Sequence, residues 1–140
     1  MRAVSSYSLW IGNTGDVRRV TELIEHGIVA VIDLAANEPV AVLPREFVYC
    51  RFPLLDGEGN ERWLLRTAIE TISGLLRDNV PTLVACSAGM SRSPALAAAA
   101  IAQLESRDPN ECLMECVEGG PADVSPMLWS DVIAALRSKV

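Results

Sequence analysis

The segment TLVACSAGMSRSPALAAAAIA, residues 82–102, carries the clearest structural signal in the sequence. Its first five residues, which end on Cys86, form a short apolar run of the kind found in buried strands. A turn of mostly small residues follows and contains Gly89. Residues 93–106 are apolar almost all round, which predicts a helix at the centre of the domain. A buried strand therefore ends at Cys86, a buried helix begins soon afterwards, and Arg92 lies six positions beyond the cysteine.

Strands and helices alternate along the rest of the chain. Apolar runs predict strands at residues 7–12, 27–35, 46–53 and 82–86, with Pro53 expected to end the third. Amphipathic spacing and start signals predict helices at 16–26, at 64–76, at 93–106, from Asp108 to the glycines at 119–120, and from Ser125 onwards. In the first helix, Val17, Val20, Leu23 and Ile24 share one face. We therefore expect one α/β domain spanning residues 1–140, with a sheet covered on both sides.

Composition and charge narrow the class of protein. Half of the residues are hydrophobic, but no apolar run reaches the ~18 residues needed to span a bilayer. The first residues, MRAVSSYSLWIG, contain no long apolar stretch followed by a cleavage site, so we expect no signal peptide, no membrane association and a cytoplasmic location. The formal net charge of −6 argues against general binding to nucleic acid. We expect a monomer.

The residues around the turn suit the binding of a phosphoryl group. Ligands of α/β sheets bind at the carboxyl ends of strands, and Cys86 lies at such an end. The backbone N–H groups of the turn and the positive end of the following helix form the kind of nest that binds an anion. Arg92 adds a planar fork that matches two phosphate oxygens. The predicted phosphate-binding residues are Ser87, Ala88, Gly89, Met90, Ser91 and Arg92.

The same positive field favours the thiolate form of Cys86, which is the nucleophilic form of cysteine. Ser93 is placed to donate a hydrogen bond to that sulfur. The pattern therefore predicts phosphoryl transfer to sulfur without a metal or another cofactor. A Walker nucleotide-binding loop is excluded, because this segment has one glycine and no lysine. The alternative is a buried structural cysteine followed by an ordinary helix start.

The segment CSAGMSRS, residues 86–93, resembles the Cys-x5-Arg-Ser/Thr signature loop of the protein tyrosine phosphatase superfamily. The segments SLWIGN, GIVAVIDLA, FPLLDGEGN and DPNECLMECVEGGPADVSPMLWSDVIAAL occur in the order seen in the dual-specificity phosphatase family, so the resemblance covers nearly the whole chain. It implies the cysteine-phosphatase fold, with a central, mostly parallel sheet of about four to five strands flanked by helices. It also implies that Cys86 is the nucleophile, that Arg92 binds the phosphoryl group, and that Ser93 assists turnover of the phosphocysteine.

This family also requires a general acid about thirty residues before the cysteine. Asp56 lies 30 residues before Cys86 in LLDGEGN, directly after a predicted strand. The glycines at 57 and 59 would let its loop move over a bound substrate. Its implied role is to protonate the leaving oxygen and then to activate water. Asp33, at the end of another predicted strand, is the second candidate, and Glu58 is the third.

One position departs from the family. A histidine usually precedes the nucleophile and helps to hold the loop and tune the thiol, but this chain has Ala85 there. This departure favours the alternative of a non-catalytic phosphate-binding module. Retention of the four residues Cys86, Arg92, Ser93 and Asp56 favours catalysis, because binding alone needs neither a thiolate nor an acid. The only histidine of the chain, His26, falls near the end of the first predicted helix and is expected at the surface.

The expected substrates are phosphorylated proteins, through phosphotyrosine and also phosphoserine or phosphothreonine, or small phosphate esters. A phosphoinositide or an RNA 5′ end is the alternative substrate class. Phosphatases that act on inositol lipids often carry lysines in this loop, whereas the only lysine here is Lys139. Short loops such as AANEPVAVLP, residues 35–44, are expected to form the walls of the pocket.

All four cysteines are expected to be free thiols. Cys112 and Cys116 are four residues apart on a predicted helix, and no histidine or further cysteine pair completes a metal site. We therefore expect these two side chains to pack in the core. A reversible disulfide between Cys50 and Cys86 is left open by the sequence.

Overall fold

The computed structural model describes residues 1–4 and 7–137, and in that part of the chain five strands form a single sheet. The strands are β1 (Arg2–Ala3), β2 (Leu9–Asn13), β3 (Ala30–Ala35), β4 (Val48–Leu54) and β5 (Thr82–Cys86). The helices are α1 (Thr14–Val17), α2 (Val20–Glu25), α3 (Arg62–Arg77), α4 (Arg92–Glu105), α5 (Pro109–Val117) and α6 (Pro126–Arg137). No helix within the described ranges is long and apolar enough to cross a lipid bilayer.

The sheet confirms the predicted α/β class. Its strand order is β1, β2, β5, β3, β4, with parallel pairing throughout except for β1, which runs antiparallel to β2 at one edge. β5 is therefore the central strand. Its carboxyl end lies between the ends of β2 and β3, with Cys86 in register with Asn13, and Ala85 in register with both Gly12 and Asp33. This placement puts the cysteine at the middle of the carboxyl edge of the sheet, where ligands of α/β folds bind.

Two hydrophobic clusters cover the two faces of the sheet. Val84 and Cys86 belong to the larger cluster, together with residues of α3, α4, α5 and α6, whereas Leu83 and Ala85 belong to the smaller one beside α1 and α2. This split follows from the alternation of side chains along a strand. Every residue of α4 from Arg92 to Ala102 is buried, as its apolar composition predicts, and its alanines let neighbouring elements approach closely.

Two details of the sequence-based prediction are wrong. The helix predicted at 16–26 is broken into α1 and α2 at Arg19, whose ψ of 71° is not helical, and Ile24 is 61% exposed. Val17 and Leu23 are both buried, although six residues of one straight helix would turn them about 120° apart. The break lets both side chains reach the sheet.

Pro53 does not end its strand, because β4 continues to Leu54. Proline cannot donate a hydrogen bond to a neighbouring strand, and it is tolerated at sheet edges and in bulges. β4 is an edge strand, and its register with β3 shifts between Asp33 and Ala35, opposite the segment that contains Pro53. The proline therefore lies where no ladder hydrogen bond is lost.

Candidate active site

The loop 87–91 joins the central strand to the buried helix and is held against the end of β2. Cys86, the last residue of β5, is 2% exposed. Gly89 has a φ of +73°, which favours glycine, and a Cβ added there would lie 2.8 Å from the Gly12 carbonyl oxygen. Because the obstruction is backbone rather than a flexible side chain, only glycine allows this close approach.

The guanidinium of Arg92 is buried and fixed by three acceptors. Nη1 donates to the carbonyl oxygen of Leu54 at 2.8 Å and to Oδ1 of Asn37 at 2.9 Å, and Nη2 donates to Oγ of Ser87 at 3.1 Å. A further donor of the guanidinium, Nε, is buried and has no hydrogen-bond partner among the described residues. A buried donor without a partner is costly, so this atom marks a position where an acceptor from a ligand would be stabilising.

Ser91 connects the loop to two other segments. Its hydroxyl donates to Oδ1 of Asp56 at 2.5 Å and accepts from the backbone N–H of Ser125 at 2.9 Å. The carbonyl oxygen of Met90 accepts from the N–H of Asp123 at 2.9 Å. These bonds tie the loop to the segment after β4, which carries Asp56, and to the segment before α6.

Two adjacent cavities open at this edge of the sheet. The smaller, of about 170 Å³, is lined by Asp56, Cys86, Ser87, Ala88, Met90, Ser91, Arg92 and Asp123. The larger, of about 460 Å³, is lined by Ala36, Asn37, Leu54, Leu55, Asp56, Ser87 and Arg92. Asp56, Ser87 and Arg92 line both cavities, so the two cavities adjoin one another at these residues. The predicted residues Cys86, Arg92 and Asp56 thus come together, and most of the predicted phosphate-binding loop lines the smaller cavity.

Asp33 lies elsewhere. Its carboxylate accepts from the Tyr49 hydroxyl at 2.6 Å and from the Ala35 N–H at 3.1 Å, and it lines neither cavity. Asp33 is in register with Ala85, so its side chain points to the face of the sheet opposite Cys86. Burial, and then the bond to Asp33, raise the pKa of Tyr49, so the phenol keeps the proton that it donates. These contacts give Asp33 a structural role.

The loop that carries Asp56 is closed by Asn60. The Asn60 side chain accepts from the N–H of Leu55 at 2.8 Å and donates to the Leu55 carbonyl oxygen at 2.9 Å. Gly59 takes a φ of +98° inside this loop. Glu58, the third candidate acid, is exposed and lines neither cavity. Asp56 is therefore the candidate acid that the structure brings beside Cys86.

Two further positions complete the surroundings of Cys86. Ser93 is buried, and its hydroxyl donates to the Gly12 carbonyl oxygen over a long 3.4 Å bond. Ala85 is fully buried in the smaller cluster beside α1 and α2. A small apolar side chain thus occupies the place of the family's usual histidine.

Asn37 and Asp123 also line the site, and the sequence analysis singled out neither residue. It did predict that the loop containing Asn37 would form a wall of the pocket.

The other cysteines lie outside the site. Cys112 and Cys116 are fully buried in the larger cluster, as predicted, and burial raises both pKa values, that of Cys116 to about 12. Cys50 is in register with Ile32, which is in register with Val84, two residues before Cys86. Ordinary strand spacing then places the Cα atoms of Cys50 and Cys86 about 12 Å apart, which is too far for a disulfide. The possible pairing of these two cysteines is therefore excluded in this fold.

His26 has no part in the site. It is exposed at the carboxyl end of α2, as expected, where its ring lies edge-on to Trp10 with centroids 6.3 Å apart.

A parallel sheet whose central strand ends in a Cys-x5-Arg loop at a helix start is typical of phosphatases of the protein tyrosine phosphatase type. A family model for the dual specificity phosphatase catalytic domain matches residues 9–123, which include Asp56, Cys86, Arg92 and Ser93. The chain therefore belongs to the dual-specificity phosphatase family and carries a phosphatase domain. No curated protein sequence matches it significantly.

Solved structures share the fold. Human DUSP28 superposes with a TM-score of 0.82 at 19% identity, over 94% of this chain and 93% of that one. DUSP15 gives a TM-score of 0.82 at 20% identity, over 97% and 86%. The human tyrosine phosphatase-like serine/threonine/tyrosine-interacting protein gives 0.77 at 21% identity, over 91% and 89%. At these identities the likeness concerns the fold alone.

Proposed function

We propose that this chain is a cysteine-dependent phosphatase that hydrolyses phosphate monoesters of proteins through a phosphocysteine. The observation that carries the proposal is the smaller cavity, which joins a buried cysteine to a buried arginine whose Nε has no partner in the described part of the chain. A phosphate oxygen on Nε would satisfy that donor. The fork of Arg92 and the start of α4 supply the positive field that stabilises a thiolate and a dianion.

The first chemical step transfers the phosphoryl group to sulfur. The Cys86 thiolate attacks phosphorus, an S–P bond forms, and the P–O bond of the ester breaks. Its electron pair stays on the leaving oxygen, which takes a proton from Asp56. Asp56 lines both cavities, so it has access both to the phosphoryl group in the smaller one and to the organic group of the ester in the larger one.

The second step returns the enzyme to its starting state. Asp56, now a carboxylate, takes a proton from a water molecule that attacks phosphorus. The S–P bond breaks, its electron pair returns to sulfur, and inorganic phosphate leaves. Ser93 assists this step by stabilising the departing thiolate, which requires its hydroxyl to turn from Gly12 towards Cys86. No metal or other cofactor takes part.

The larger cavity holds the organic part of the substrate. Its walls are mainly apolar or neutral, and among the described residues Arg92 is the only cationic one that lines either cavity. A phosphorylated side chain of a protein fits such walls better than a phosphoinositide or an RNA 5′ end, whose additional phosphates need further cations. The proposed substrates are therefore phosphotyrosine and phosphoserine or phosphothreonine residues.

A non-catalytic phosphate-binding module is the second candidate, because Ala85 replaces a family histidine and one structural relative is named as a phosphatase-like interacting protein. The test compares wild type with Cys86→Ser on phosphotyrosine and phosphothreonine peptides, a phosphoinositide and an RNA 5′-phosphate. We expect hydrolysis of the peptides by wild type, none by the variant, and phosphate binding by both. Binding without turnover in wild type would establish the module instead.

Asp56→Asn and Asp33→Asn separate the acid candidates. Loss of an acid matters most for a poor leaving group, so Asp56→Asn should slow hydrolysis of an alkyl phosphate by about a hundred- to ten-thousand-fold. The kcat/KM of an activated aryl phosphate, which is set by the first step, should fall much less. If Asp33→Asn shows that leaving-group pattern and Asp56→Asn does not, the acid is Asp33.

A further inference from the structure

The hydroxyl of Ser91 makes hydrogen bonds to two groups outside its own helix. A serine hydroxyl has one proton to donate, and that of Ser91 goes to Oδ1 of Asp56 at 2.5 Å. Its oxygen accepts from the Ser125 N–H at 2.9 Å. The side chain of Ser91 is also buried, and the bond from the Ser125 N–H restricts its rotamer. The hydroxyl is therefore held in one orientation towards Asp56.

Ser91 also lacks the hydrogen bond to its own helix that serines in its position usually make. It occupies the N-cap of α4, where a serine typically accepts from a first-turn N–H and stabilises the helix by about 1 kcal/mol. No such side-chain bond exists at this helix start. The third residue of the helix is Pro94, which has no N–H, so the N–H groups of Arg92 and Ser93 are left for an anion and the Ser91 hydroxyl is left for Asp56.

We propose that Ser91 is a positioning residue for Asp56, which selects the carboxyl oxygen that carries the catalytic proton. The inference rests on the acid role of Asp56 proposed above. When Asp56 is ionised, Ser91 donates to Oδ1 and fixes the rotation of the carboxylate. The next proton then adds to Oδ2, which accepts no hydrogen bond from the described residues, and Oδ2 is the atom presented to the leaving oxygen.

Ser91 connects three segments of the chain at the site. It lies between Met90, whose carbonyl oxygen accepts from Asp123, and the phosphate-binding Arg92. The segment before α6 thus holds the loop, and the loop holds the acid. Asn60 closes the acid loop from its other side. Ser91 therefore aligns the donor of the proton with the site of phosphoryl transfer.

The test measures kcat/KM of Ser91→Ala on an alkyl phosphate such as a phosphoserine peptide and on p-nitrophenyl phosphate. A hydrogen bond to a charged group is lost, so we expect kcat/KM to fall about ten- to hundredfold further on the alkyl substrate than on the aryl one. Ser91→Thr keeps the hydroxyl and should restore the alkyl activity. Equal losses on both substrates would overturn the proposal, because they indicate only a damaged loop.

A double-mutant cycle with Asp56→Asn distinguishes this proposal from the acid assignment itself. If Ser91 acts through Asp56, Ser91→Ala should add no more than about twofold to the alkyl loss in the Asp56→Asn background. A full additional loss would overturn the proposal and leave the acid assignment standing. Absence of any leaving-group effect in Asp56→Asn would overturn both.

The matched control is Ser73→Ala. Ser73 is also buried, and its hydroxyl donates to the Ala100 carbonyl oxygen at 3.0 Å in the core. We expect this variant to lose stability without any difference between alkyl and aryl substrates. A leaving-group pattern in Ser73→Ala would show that loss of a buried hydroxyl anywhere produces the effect, and would overturn the proposal.

Discussion

Gly89→Ala tests whether the close approach of the loop to β2 holds the anion site together. The added Cβ would lie 2.8 Å from the Gly12 carbonyl oxygen, about 0.6 Å inside the 3.4 Å of ordinary contact. A left-handed φ costs an L residue about 1–2 kcal/mol, and overpacking adds about 1–3 kcal/mol. Alanine also restricts the unfolded chain, which offsets about 0.4–1 kcal/mol. We expect a net loss of about 2–4 kcal/mol in the free energy of unfolding, measured by urea denaturation.

The kcat/KM of Gly89→Ala should fall by more than its loss of stability alone would cause. The loop must move away from Gly12, which displaces the N–H groups that we propose bind the phosphoryl group. A displacement near 1 Å can cost about a hundredfold, so we expect kcat/KM on p-nitrophenyl phosphate to drop by about that factor while the protein remains folded.

Gly27→Ala is the matched control for this prediction. Gly27 has a φ of +71° and nothing within 4 Å of an added Cβ, so it carries the same conformational cost without the clash. We expect Gly27→Ala to lose about 1 kcal/mol of stability and to keep full activity. If Gly89→Ala costs no more than Gly27→Ala and remains active, the contact between loop and β2 does not shape the site.

Three further predictions concern charge and reactivity. Arg92→Lys should lose most of kcat/KM, because a point charge cannot replace the fork that contacts Leu54, Asn37 and a phosphate together; normal activity would contradict the anion site. Asp123→Asn removes a negative charge from the smaller cavity and should tighten inhibition by phosphate about two- to fivefold, with a smaller effect at high salt. Weaker inhibition by phosphate would contradict the placement of Asp123 beside the anion site. A pKa of about 12 leaves about one part in ten thousand of the Cys116 thiol ionised at pH 8. Iodoacetamide should therefore label Cys86 first and reach Cys116 only at higher pH or after unfolding. Early labelling of Cys116 would contradict its burial.

The central strand, turn and helix were predictable because their signals are local. Four apolar residues, a glycine in a turn and an apolar helix follow one another closely in sequence, so Cys86 and Arg92 could be placed without knowledge of the tertiary structure. Asp56 was predictable from its spacing to the cysteine and the family resemblance. Whether it or Asp33 faces the cysteine depends on the register of β3 with β5, which no local pattern encodes.

The remaining features depend on long-range contacts. Asn37 bonds to Arg92 across 55 positions of sequence, and Ser91 bonds to Asp56 across 35, so neither contact leaves a periodic signal. The break between α1 and α2 arises because two buried side chains must both face the sheet. Pro53 remains in its strand because β4 lies at an edge, which only the strand order reveals.

The most direct test of the proposed mechanism is to trap the phosphocysteine in the Asp56→Asn variant. An activated aryl phosphate needs little help from an acid in the first step, whereas the second step needs Asp56 as the base. The intermediate should therefore accumulate, and acid quenching followed by peptide mass spectrometry should find one phosphoryl group per chain, on the peptide containing Cys86. Turnover of the substrate with no phosphorylated peptide, or with the phosphoryl group on another residue, would contradict nucleophilic attack by Cys86.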